Sequence, residues 1–365
     1  MLLIFIGFFI SIFSSSAQVS LKDKTLSESA QISVYTCGVG EELYSLFGHT
    51  ALRVKDVEQN IDLVFNYGMF DFDTPNFYGK FIKGDLLYSI GIDSQKDFIY
   101  AYTYADRTIT EQILELSAEE IQKIWSTLWK QYESDERYYL YKFIFDNCTT
   151  RVHDLIDQTA HYQIKKDFPS NQKTYRQILN DYLKLQYFPQ LGINLVFGSN
   201  VDQPNELLFL PEQFLEGIHL TDRLQKDVKI WHTSTHKPQE KKQPEKYAFW
   251  AFLAIFAFFG KYKAIRNVYY IIATLLGGLI LCIQPYSMHE EVLNNWTFLI
   301  FNPLMIIMLF IKNPLRRKIA IGQLVLSILA LSLLSMEKIT IILPLLFLHF
   351  VILLWEILLT NKNKK

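Results

Sequence analysis

The sequence is poor in cysteine, with only Cys37, Cys148 and Cys282 in 365 residues. Exported domains that are held together by disulfides use a larger, even set of cysteines, so a disulfide framework is excluded. One bridge, between Cys37 and Cys148, stays open as an alternative, because Cys282 lies inside a long apolar run. The formal net charge of −1 and the lack of a basic patch interleaved with aromatic residues argue against a nucleic-acid partner.

The amino terminus lacks the basic residues that usually precede the apolar core of a signal peptide. Residues 1–17 otherwise form an apolar run that closes in small residues, with Ser15 and Ala17 at the spacing of a signal-peptidase site. No cysteine follows Ala17, which excludes a lipoprotein signal. We expect residues 1–17 to be a signal peptide or a retained anchor, and the chain after it to be exported.

The composition divides the rest of the chain in two. Residues 18–231 mix charged, polar and aromatic side chains, and residues 232–246 form a polar, proline-containing stretch that predicts a linker. Residues 247–365 contain five apolar runs, at about 247–260, 268–283, 296–311, 319–336 and 339–359. Because a helix of about 20 apolar residues spans a bilayer, we predict an all-α bundle of five transmembrane helices.

The polar breaks between the apolar runs predict the orientation. Lys261, Lys263 and Arg266 occupy the first break, and residues 312–318 and the carboxyl terminus are also basic, whereas residues 284–295 contain neither lysine nor arginine. Basic segments stay in the cytoplasm, so residues 18–231 are expected in the periplasm of a multi-pass inner (cytoplasmic) membrane protein. We expect the outer-loop residues 289–291, "HEE", to face solvent; contact with a substrate amine is the alternative.

Residues 18–231 combine helix and strand patterns, which indicates an α+β domain. Residues 50–54 and 61–72 alternate as strands do, and "DLLYSIGI", residues 85–92, predicts a further strand. Residues 116–132 predict an amphipathic helix, because Ser117 and Glu120 form a capping-box pattern before apolar residues at helical spacing.

The stretch "FDNCTTRVHDLID" places a cysteine at the start of a predicted helix. Asn147 is a good N-cap residue, and Val152, Leu155 and Ile156 follow at helical spacing. Cys148 would therefore lie in the first turn, where the helix dipole favours the thiolate. A nucleophile also needs a base that is held by a third group. His49 at the start of a strand and Asn66 on the neighbouring strand are the candidates.

The motifs "FGHTALRV", "FNYGMFDF", "GDLLYS", "FDNCTTR" and "LGINLVFGSNVDQPNELLFLPEQF" resemble the exported domain of the Lnb-type lipoprotein N-acyltransferases of Bacteroidetes. The five apolar runs resemble that family's membrane domain. Histidine precedes cysteine, as in the circularly permuted papain-like thiol enzymes, which include the lecithin:retinol acyltransferase group. The resemblance implies a permuted papain-like domain followed by a five-helix membrane bundle.

The resemblance assigns the nucleophile to Cys148 and the base to His49. Where the lecithin:retinol group has a second histidine, this chain offers Asn66. The Cys148 amide and the Asn147 side chain are candidate oxyanion donors, with Thr149 in support. Three residues are weaker candidates for substrate contacts, namely Tyr67, Tyr88 and Asp202; filling the core or scaffolding is their alternative.

The implied activity is transfer of an acyl chain from a membrane phospholipid, through a Cys148 thioester, to the terminal amine of a diacylated lipoprotein. Thioester to amide is downhill, so no nucleotide, metal or other cofactor is expected. Two alternatives stay open. The same cysteine–histidine pair serves a papain-like hydrolase or amidase of the cell envelope, although five spans suit such an enzyme poorly. A non-catalytic membrane scaffold or sensor, with a structural Cys148, is the other.

Overall fold

The computed structural model describes residues 21–222, 225–235 and 243–362. The predicted signal or anchor segment, residues 1–17, lies outside them, as does most of the predicted linker. The described strands are β1 Gln31–Cys37, β2 His49–Asp56, β3 Ile61–Met69, β4 Leu87–Ser94, β5 Ile109–Leu114, β6 Tyr138–Leu140 and β7 Gln225–His232. They form one antiparallel sheet in the order β6-β4-β3-β2-β1-β5-β7.

Helices cover both faces of this sheet and give the domain its α+β architecture. The helices of this part are α1 Phe77–Lys83, α2 Gln95–Tyr104, α3 Ala118–Glu133, α4 Cys148–Ala160, α5 Tyr175–Leu183, α6 Tyr187–Val196 and α7 Pro211–Leu220. The main core lies between the sheet and helices α3 and α4, with Trp125 fully buried in it. A smaller core, which includes Phe98 of α2, lies on the other face.

The predicted capping box at the start of α3 is present. The Ser117 side chain accepts a hydrogen bond from the Glu120 N–H, and the Glu120 carboxylate accepts one from the Ser117 N–H. The apolar residues of α3 are buried at helical spacing, at Ile121, Ile124 and Leu128. Local capping and amphipathic pattern therefore agree with the packing of this helix.

The remainder of the described chain is helical. It contains α8 Pro244–Phe258, α9 Lys263–Tyr286, α10 Thr297–Ile300, α11 Asn313–Leu331 and α12 Met336–Lys362. By length and composition, two of the described helices can cross a membrane, over Lys263–Tyr286 and Met336–Thr360. The second and fifth predicted spans fall on these two helices.

The other three predicted spans are less regular. The first falls on α8, which has 15 residues, and the fourth on α11, which has 19. The third, residues 296–311, is not one α-helix: the four residues of α10 are followed by a 3-10 helix over Pro303–Leu309. Asn302 caps this 3-10 helix by accepting from the Leu304 N–H. The full five-span bundle therefore remains a prediction.

The loop between α9 and α10 contacts the sheet domain, so the expectation that residues 289–291 face solvent is wrong for Glu291, whereas Glu290 is exposed. The Glu291 side chain is fully buried, and its Oε1 accepts a hydrogen bond of 2.9 Å from the Ile144 N–H. Glu290 pairs with Lys142 at 2.7 Å, and the Gly198 N–H donates to the Glu291 carbonyl at 2.8 Å. The sequence pattern gives only the polarity of this loop. The partners that bury Glu291 belong to segments that are distant in the sequence.

Candidate active site

Cys148 is the first residue of α4, and Asn147 caps this helix. The Asn147 Oδ1 accepts hydrogen bonds from the N–H groups of Thr149 and Thr150, at 2.8 and 3.0 Å. The Asn147 side chain thus binds the second and third N–H groups of the helix and does not bind the first, which belongs to Cys148. Cys148 is half-buried against the main core, at the end of the helix that carries partial positive charge.

The Asn147 side chain is not free to donate to an oxyanion. Its Nδ2 donates to the carbonyl of Phe143 at 2.9 Å and to that of Phe209 at 3.0 Å, so both amide hydrogens are in use. The expectation that this amide stabilises an oxyanion is therefore wrong. Asn147 instead fixes the start of α4 to two neighbouring backbone segments. Spacing alone did not reveal this, because Phe209 lies 62 residues further along the chain.

Thr149 joins the cysteine helix to the strand that begins with His49. Its hydroxyl lies 3.0 Å from the Thr50 hydroxyl and 3.9 Å from the Cys148 sulfur. Thr149 and Thr50 are both fully buried. This contact holds the first turn of α4 against the start of β2 and so brings Cys148 to His49.

His49 belongs to a chain of hydrogen bonds that ends in a carboxylate. The His49 Nε2 lies 3.1 Å from the Asn66 Oδ1, and the Asn66 Nδ2 donates to the Asp93 carboxylate at 2.6 Å. The three residues belong to three consecutive neighbouring strands, β2, β3 and β4. The Tyr102 ring of α2 stacks parallel to the imidazole, with centroids 6.0 Å apart.

This chain determines which nitrogen of His49 carries the proton. The Asn66 N–H₂ group donates to the Asp93 carboxylate, so the Asn66 amide presents its oxygen to His49. That oxygen only accepts, so His49 Nε2 must carry a hydrogen. In the neutral ring the lone pair is then on Nδ1, and Nδ1 is the nitrogen that remains for the Cys148 thiol.

The surroundings of Cys148 favour its thiolate. Burial alone would raise the pKa of the thiol, but the charge and the hydrogen bond of His49 oppose it, together with hydrogen bonds from the Thr50 N–H and the Thr149 hydroxyl. The net result is a pKa below the ordinary value for cysteine. A half-buried thiol with a lowered pKa beside an imidazole has the properties of a nucleophile.

The Cys37 thiol differs from the Cys148 thiol in its burial and in the direction of its pKa shift. It is fully buried opposite His49 in the β1–β2 ladder, and burial raises the pKa of its thiol. Cys37, Cys148 and Cys282 are all free, so the alternative of a bridge between Cys37 and Cys148 is wrong. The Cys37 thiol is a small, neutral part of the smaller core, on the strand next to that of His49.

Tyr139 is a residue of this site that the sequence pattern did not identify. Its hydroxyl is buried and has no hydrogen-bond partner among the described residues, although its ring lies against the Arg151 guanidinium, 3.5 Å away. A Cβ atom placed on Gly68, whose φ is +90°, would lie 3.9 Å from this hydroxyl and 3.8 Å from the Cys148 Cβ. The space over Gly68 is therefore bordered by both the Tyr139 hydroxyl and the Cys148 side chain.

The described contacts of the three weaker candidates are those of core and scaffold residues. Tyr67 and Tyr88 are buried in the main core; the Tyr67 hydroxyl donates to Gln131, and the Tyr88 ring stacks on Tyr141 at 4.5 Å. The Asp202 carboxylate binds the buried Arg176 guanidinium, at 2.6 and 3.1 Å. This ion pair with the buried Arg176 gives Asp202 a structural role, so a substrate contact is not supported.

Cavities and metal sites do not mark the place of the chemistry. Two surface cavities, of about 320 and 520 Å³, are lined by residues around Leu114 and around Leu220, and neither includes Cys148 or His49. Within residues 21–222, 225–235 and 243–362, no three histidine, cysteine or carboxylate residues are grouped so that they could hold a metal ion. The site is thus defined by the cysteine, the imidazole and its hydrogen-bond chain.

Comparison with protein families gives one match. Residues 17–181 match the family model described as the Lnb N-terminal periplasmic domain. The matched range includes strands β1 to β6 and the whole of α4, and hence His49, Asn66, Asp93, Tyr139 and Cys148. No curated protein and no solved structure matches the chain. For residues 17–181 this match bears out the Lnb-type family predicted from the motifs, and the family model describes a periplasmic domain.

Proposed function

Because residues 17–181 make this chain an Lnb-type protein, we propose that it is a cysteine-dependent acyltransferase of the periplasmic face of the inner membrane. It transfers a fatty acyl chain from a membrane phospholipid to the terminal amine of a diacylated lipoprotein. The observation that carries this proposal is the half-buried Cys148 with a lowered pKa beside His49. The two long apolar helices support a setting in which both substrates are held in the bilayer.

The first half-reaction forms a thioester on Cys148. His49 Nδ1 takes the thiol proton, and the thiolate attacks the carbonyl carbon of a phospholipid ester. A tetrahedral intermediate forms, and its C–O bond then breaks. The lysophospholipid leaves as an alcohol, with the proton that the His49 imidazolium returns to its oxygen. The Asn66 contact keeps the ring in the tautomer that this exchange requires.

The second half-reaction forms the amide. The lipoprotein amine, in its neutral form, attacks the thioester carbonyl, and His49 takes a proton from the resulting ammonium. The C–S bond breaks and the Cys148 thiolate is regenerated beside the His49 imidazolium, and return of that proton to the sulfur restores the starting thiol and neutral imidazole. No oxidant, nucleotide or metal enters this balance. The exclusion of water from the thioester distinguishes such a transferase from a hydrolase with the same pair of residues.

The tetrahedral intermediates need hydrogen-bond donors on the side of the carbonyl oxygen. We assign this role to the Cys148 N–H, which the Asn147 cap leaves unused, and to the Tyr139 hydroxyl. A buried polar group without a partner costs stability, and in a functional site a substrate often supplies the missing partner. The space over Gly68, between Cys148 and Tyr139, is where we place the reacting carbonyl.

The sheet-and-helix arrangement is compatible with the rest of the predicted organisation. We propose that the exported domain, residues 18–231, has a permuted papain-like fold, since a strand supplies the histidine and a later helix begins with the cysteine. We further propose that α8 to α12 complete a multi-pass membrane domain with a cytoplasmic carboxyl terminus. Membrane phospholipid and diacylated lipoprotein are the proposed partners.

The test is the chemical state of a lipoprotein amino terminus. Cells without another N-acylating enzyme would express the wild-type chain, Cys148→Ala, His49→Ala or the control Cys282→Ser, and mass spectrometry would read the terminal lipopeptide. We expect the N-acylated form with the wild type and with Cys282→Ser, and its loss with the other two. N-acylation that survives both Cys148→Ala and His49→Ala overturns the proposal. Release of free fatty acid without N-acylation would identify a hydrolase instead.

A further inference from the structure

A group of aromatic side chains lies on the β3–α1 connection and α1, together with one ring from the turn before β2. We call it the aromatic surface, and it consists of Tyr44, Phe70, Phe72, Phe77, Tyr78 and Phe81. Tyr78 is 75% exposed, Phe72 59% and Phe81 42%. Contiguous exposed apolar surface of this kind marks a site that binds another apolar partner.

The rings form a continuous path along this surface. Phe72 lies edge-on to Phe70, with centroids 4.9 Å apart, and tilts against Phe77 at 5.0 Å. Phe77 contacts Tyr78 at 5.4 Å and Phe81 at 6.4 Å. Tyr44 lies edge-on to Phe70 and Phe72, at 6.4 and 6.3 Å. The six side chains therefore form one surface.

One end of the aromatic surface is fixed to the end of α9. The Ser287 hydroxyl donates to the Ile82 carbonyl at 2.8 Å, and the Met288 N–H donates to the Lys83 carbonyl at 2.7 Å. His289 Nε2 lies 2.9 Å from the Phe81 carbonyl oxygen. These three contacts begin one residue after Tyr286, where the long apolar helix ends.

Exposed apolar residues of α9 lead to this junction. Leu275 and Leu279 are exposed at helical spacing, and Tyr286, 53% exposed, lies on the same side of the helix two turns later. The exposed side of a membrane-crossing helix faces acyl chains, and aromatic residues gather where such a helix leaves the bilayer. The aromatic surface continues this exposed side on the periplasmic domain.

The other end of the aromatic surface approaches the cysteine. Phe70 contacts Tyr88 at 5.2 Å, and Tyr88 stacks on Tyr141 at 4.5 Å. Phe70, Tyr141 and Cys148 all pack against the main core. Apolar side chains thus extend from the end of α9 to the neighbourhood of the thiol.

We propose that the aromatic surface is seated in the outer leaflet of the bilayer that α9 spans, and that it guides the acyl chain of a donor lipid to Cys148. The second clause rests on the proposed function; the first does not. A lipid occupant, rather than a protein, follows from the direct continuity with α9 and from the position of the surface at the level where this helix ends. The apolar face of an element that lies in the membrane interface enters the bilayer by about 5–10 Å. Exposed rings such as Phe72 and Tyr78 reach the acyl chains at that depth.

Photocrosslinking of the full chain in native membranes tests whether the aromatic surface lies in the bilayer. p-Benzoylphenylalanine replaces Phe72 or Tyr78, with Tyr104 of α2, which is 83% exposed, as the matched control. We expect phospholipid adducts at positions 72 and 78 at least tenfold above those at position 104. Equal lipid yields at the three positions, or adducts to another protein at 72 and 78, overturn the proposal.

A second measurement tests the route to Cys148 separately. In the double variant Phe72→Ser with Tyr78→Ser, we expect acyl transfer at low donor concentration to fall at least tenfold, while iodoacetamide alkylates Cys148 at an unchanged rate. Unchanged transfer overturns the route. Lipid adducts at positions 72 and 78, together with a wild-type chain that transfers no acyl group, would overturn the proposed function and leave the membrane position of the aromatic surface in place.

Discussion

The Asn66 side-chain oxygen lies 3.1 Å from His49 Nε2, and this contact occupies the ring nitrogen that does not serve Cys148. Asp93 sets the orientation of the Asn66 amide, because its carboxylate accepts a hydrogen bond of 2.6 Å from the Asn66 amide nitrogen. The carboxylate therefore acts on the imidazole without contacting it. Asp93 is a positioning residue, and its contribution is the orientation of Asn66 and the tautomer of His49.

Replacement of Asp93 by asparagine tests this relay. The introduced amide offers both a donor and an acceptor, so Asn66 is free to turn over and His49 no longer has a fixed tautomer. A hydrogen bond to a charged group contributes about 1.5–3 kcal/mol, and about 1.4 kcal/mol is a factor of ten. We expect Asp93→Asn to lower kcat roughly 10- to 100-fold, with little change in KM. Nitrogen-15 shifts of labelled histidine would report the tautomer, and a His49 that keeps its Nε2 proton in the variant contradicts the relay.

The lowered pKa of Cys148 predicts the pH dependence of its reactivity. A thiol reacts as the thiolate, so a pKa below the ordinary value keeps alkylation fast at pH values where free cysteine is mostly protonated. Without His49 the raising effect of burial is less opposed, so His49→Ala should move the midpoint of the alkylation profile upward. Mass spectrometry of the iodoacetamide-labelled peptide measures this, and the buried Cys37 is the unreactive internal control. An unchanged midpoint in His49→Ala contradicts the pairing.

The parts of the site that the sequence predicts are those with a local signature. Asn147 and the apolar spacing after it predict the helix that Cys148 opens, and alternation predicts the adjacent strands of His49 and Asn66. Tyr139 and Asp93 carry no such signature. Each comes into the site through strand pairing, β6 with β4 and β4 with β3, whose order the sequence does not reveal.

The membrane half shows the same limit. Hydropathy predicts α9 and α12 well, because their apolar runs are long and uninterrupted. It does not predict the break at Asn302, where a side chain caps a 3-10 helix inside an apolar run. Nor does polarity alone predict that Glu291 is buried, since the N–H of Ile144 that pairs with it lies 147 residues away.

The unpaired hydroxyl of Tyr139 predicts a role in stabilising the oxyanion. Tyr139→Phe keeps the ring that lies against Arg151 and removes only the oxygen. Loss of one oxyanion donor typically lowers kcat by about 10²–10³, and removal of an unpaired buried hydroxyl should leave the protein at least as stable. We therefore expect a large fall in kcat with no fall in Tm. Wild-type kcat in this variant would exclude Tyr139 from the reaction.

The four hydrogen bonds of the Asn147 side chain predict its contribution to stability. Asn147→Ala removes the cap of α4, which costs about 0.5–2 kcal/mol, and leaves the part-buried carbonyl of Phe143 and the buried carbonyl of Phe209 without this donor. We expect a destabilisation of roughly 2–4 kcal/mol, seen as a lower Tm by tryptophan fluorescence. Asn147→Asp keeps the cap but turns an oxygen toward those carbonyls, so it should lie between the wild type and alanine in Tm. An alanine variant with wild-type Tm contradicts this account.

The buried Glu291 predicts that the loop after α9 supports the cysteine segment. Its Oε1 accepts from the Ile144 N–H, four residues before Cys148, and Ile144 is itself fully buried. Glu291→Ala leaves that N–H unpaired, which costs about 1–3 kcal/mol, and loosens the segment that holds Asn147 and Cys148. We expect kcat to fall about tenfold, and Glu291→Gln to retain most of it, since an amide oxygen still accepts. The neighbouring Glu290→Ala is the matched control, because its pair with Lys142 is partly exposed and contributes little. Equal losses in Glu290→Ala and Glu291→Ala would show that the loop acts through its charge, whereas a loss confined to position 291 shows that one hydrogen bond couples the membrane half to the site.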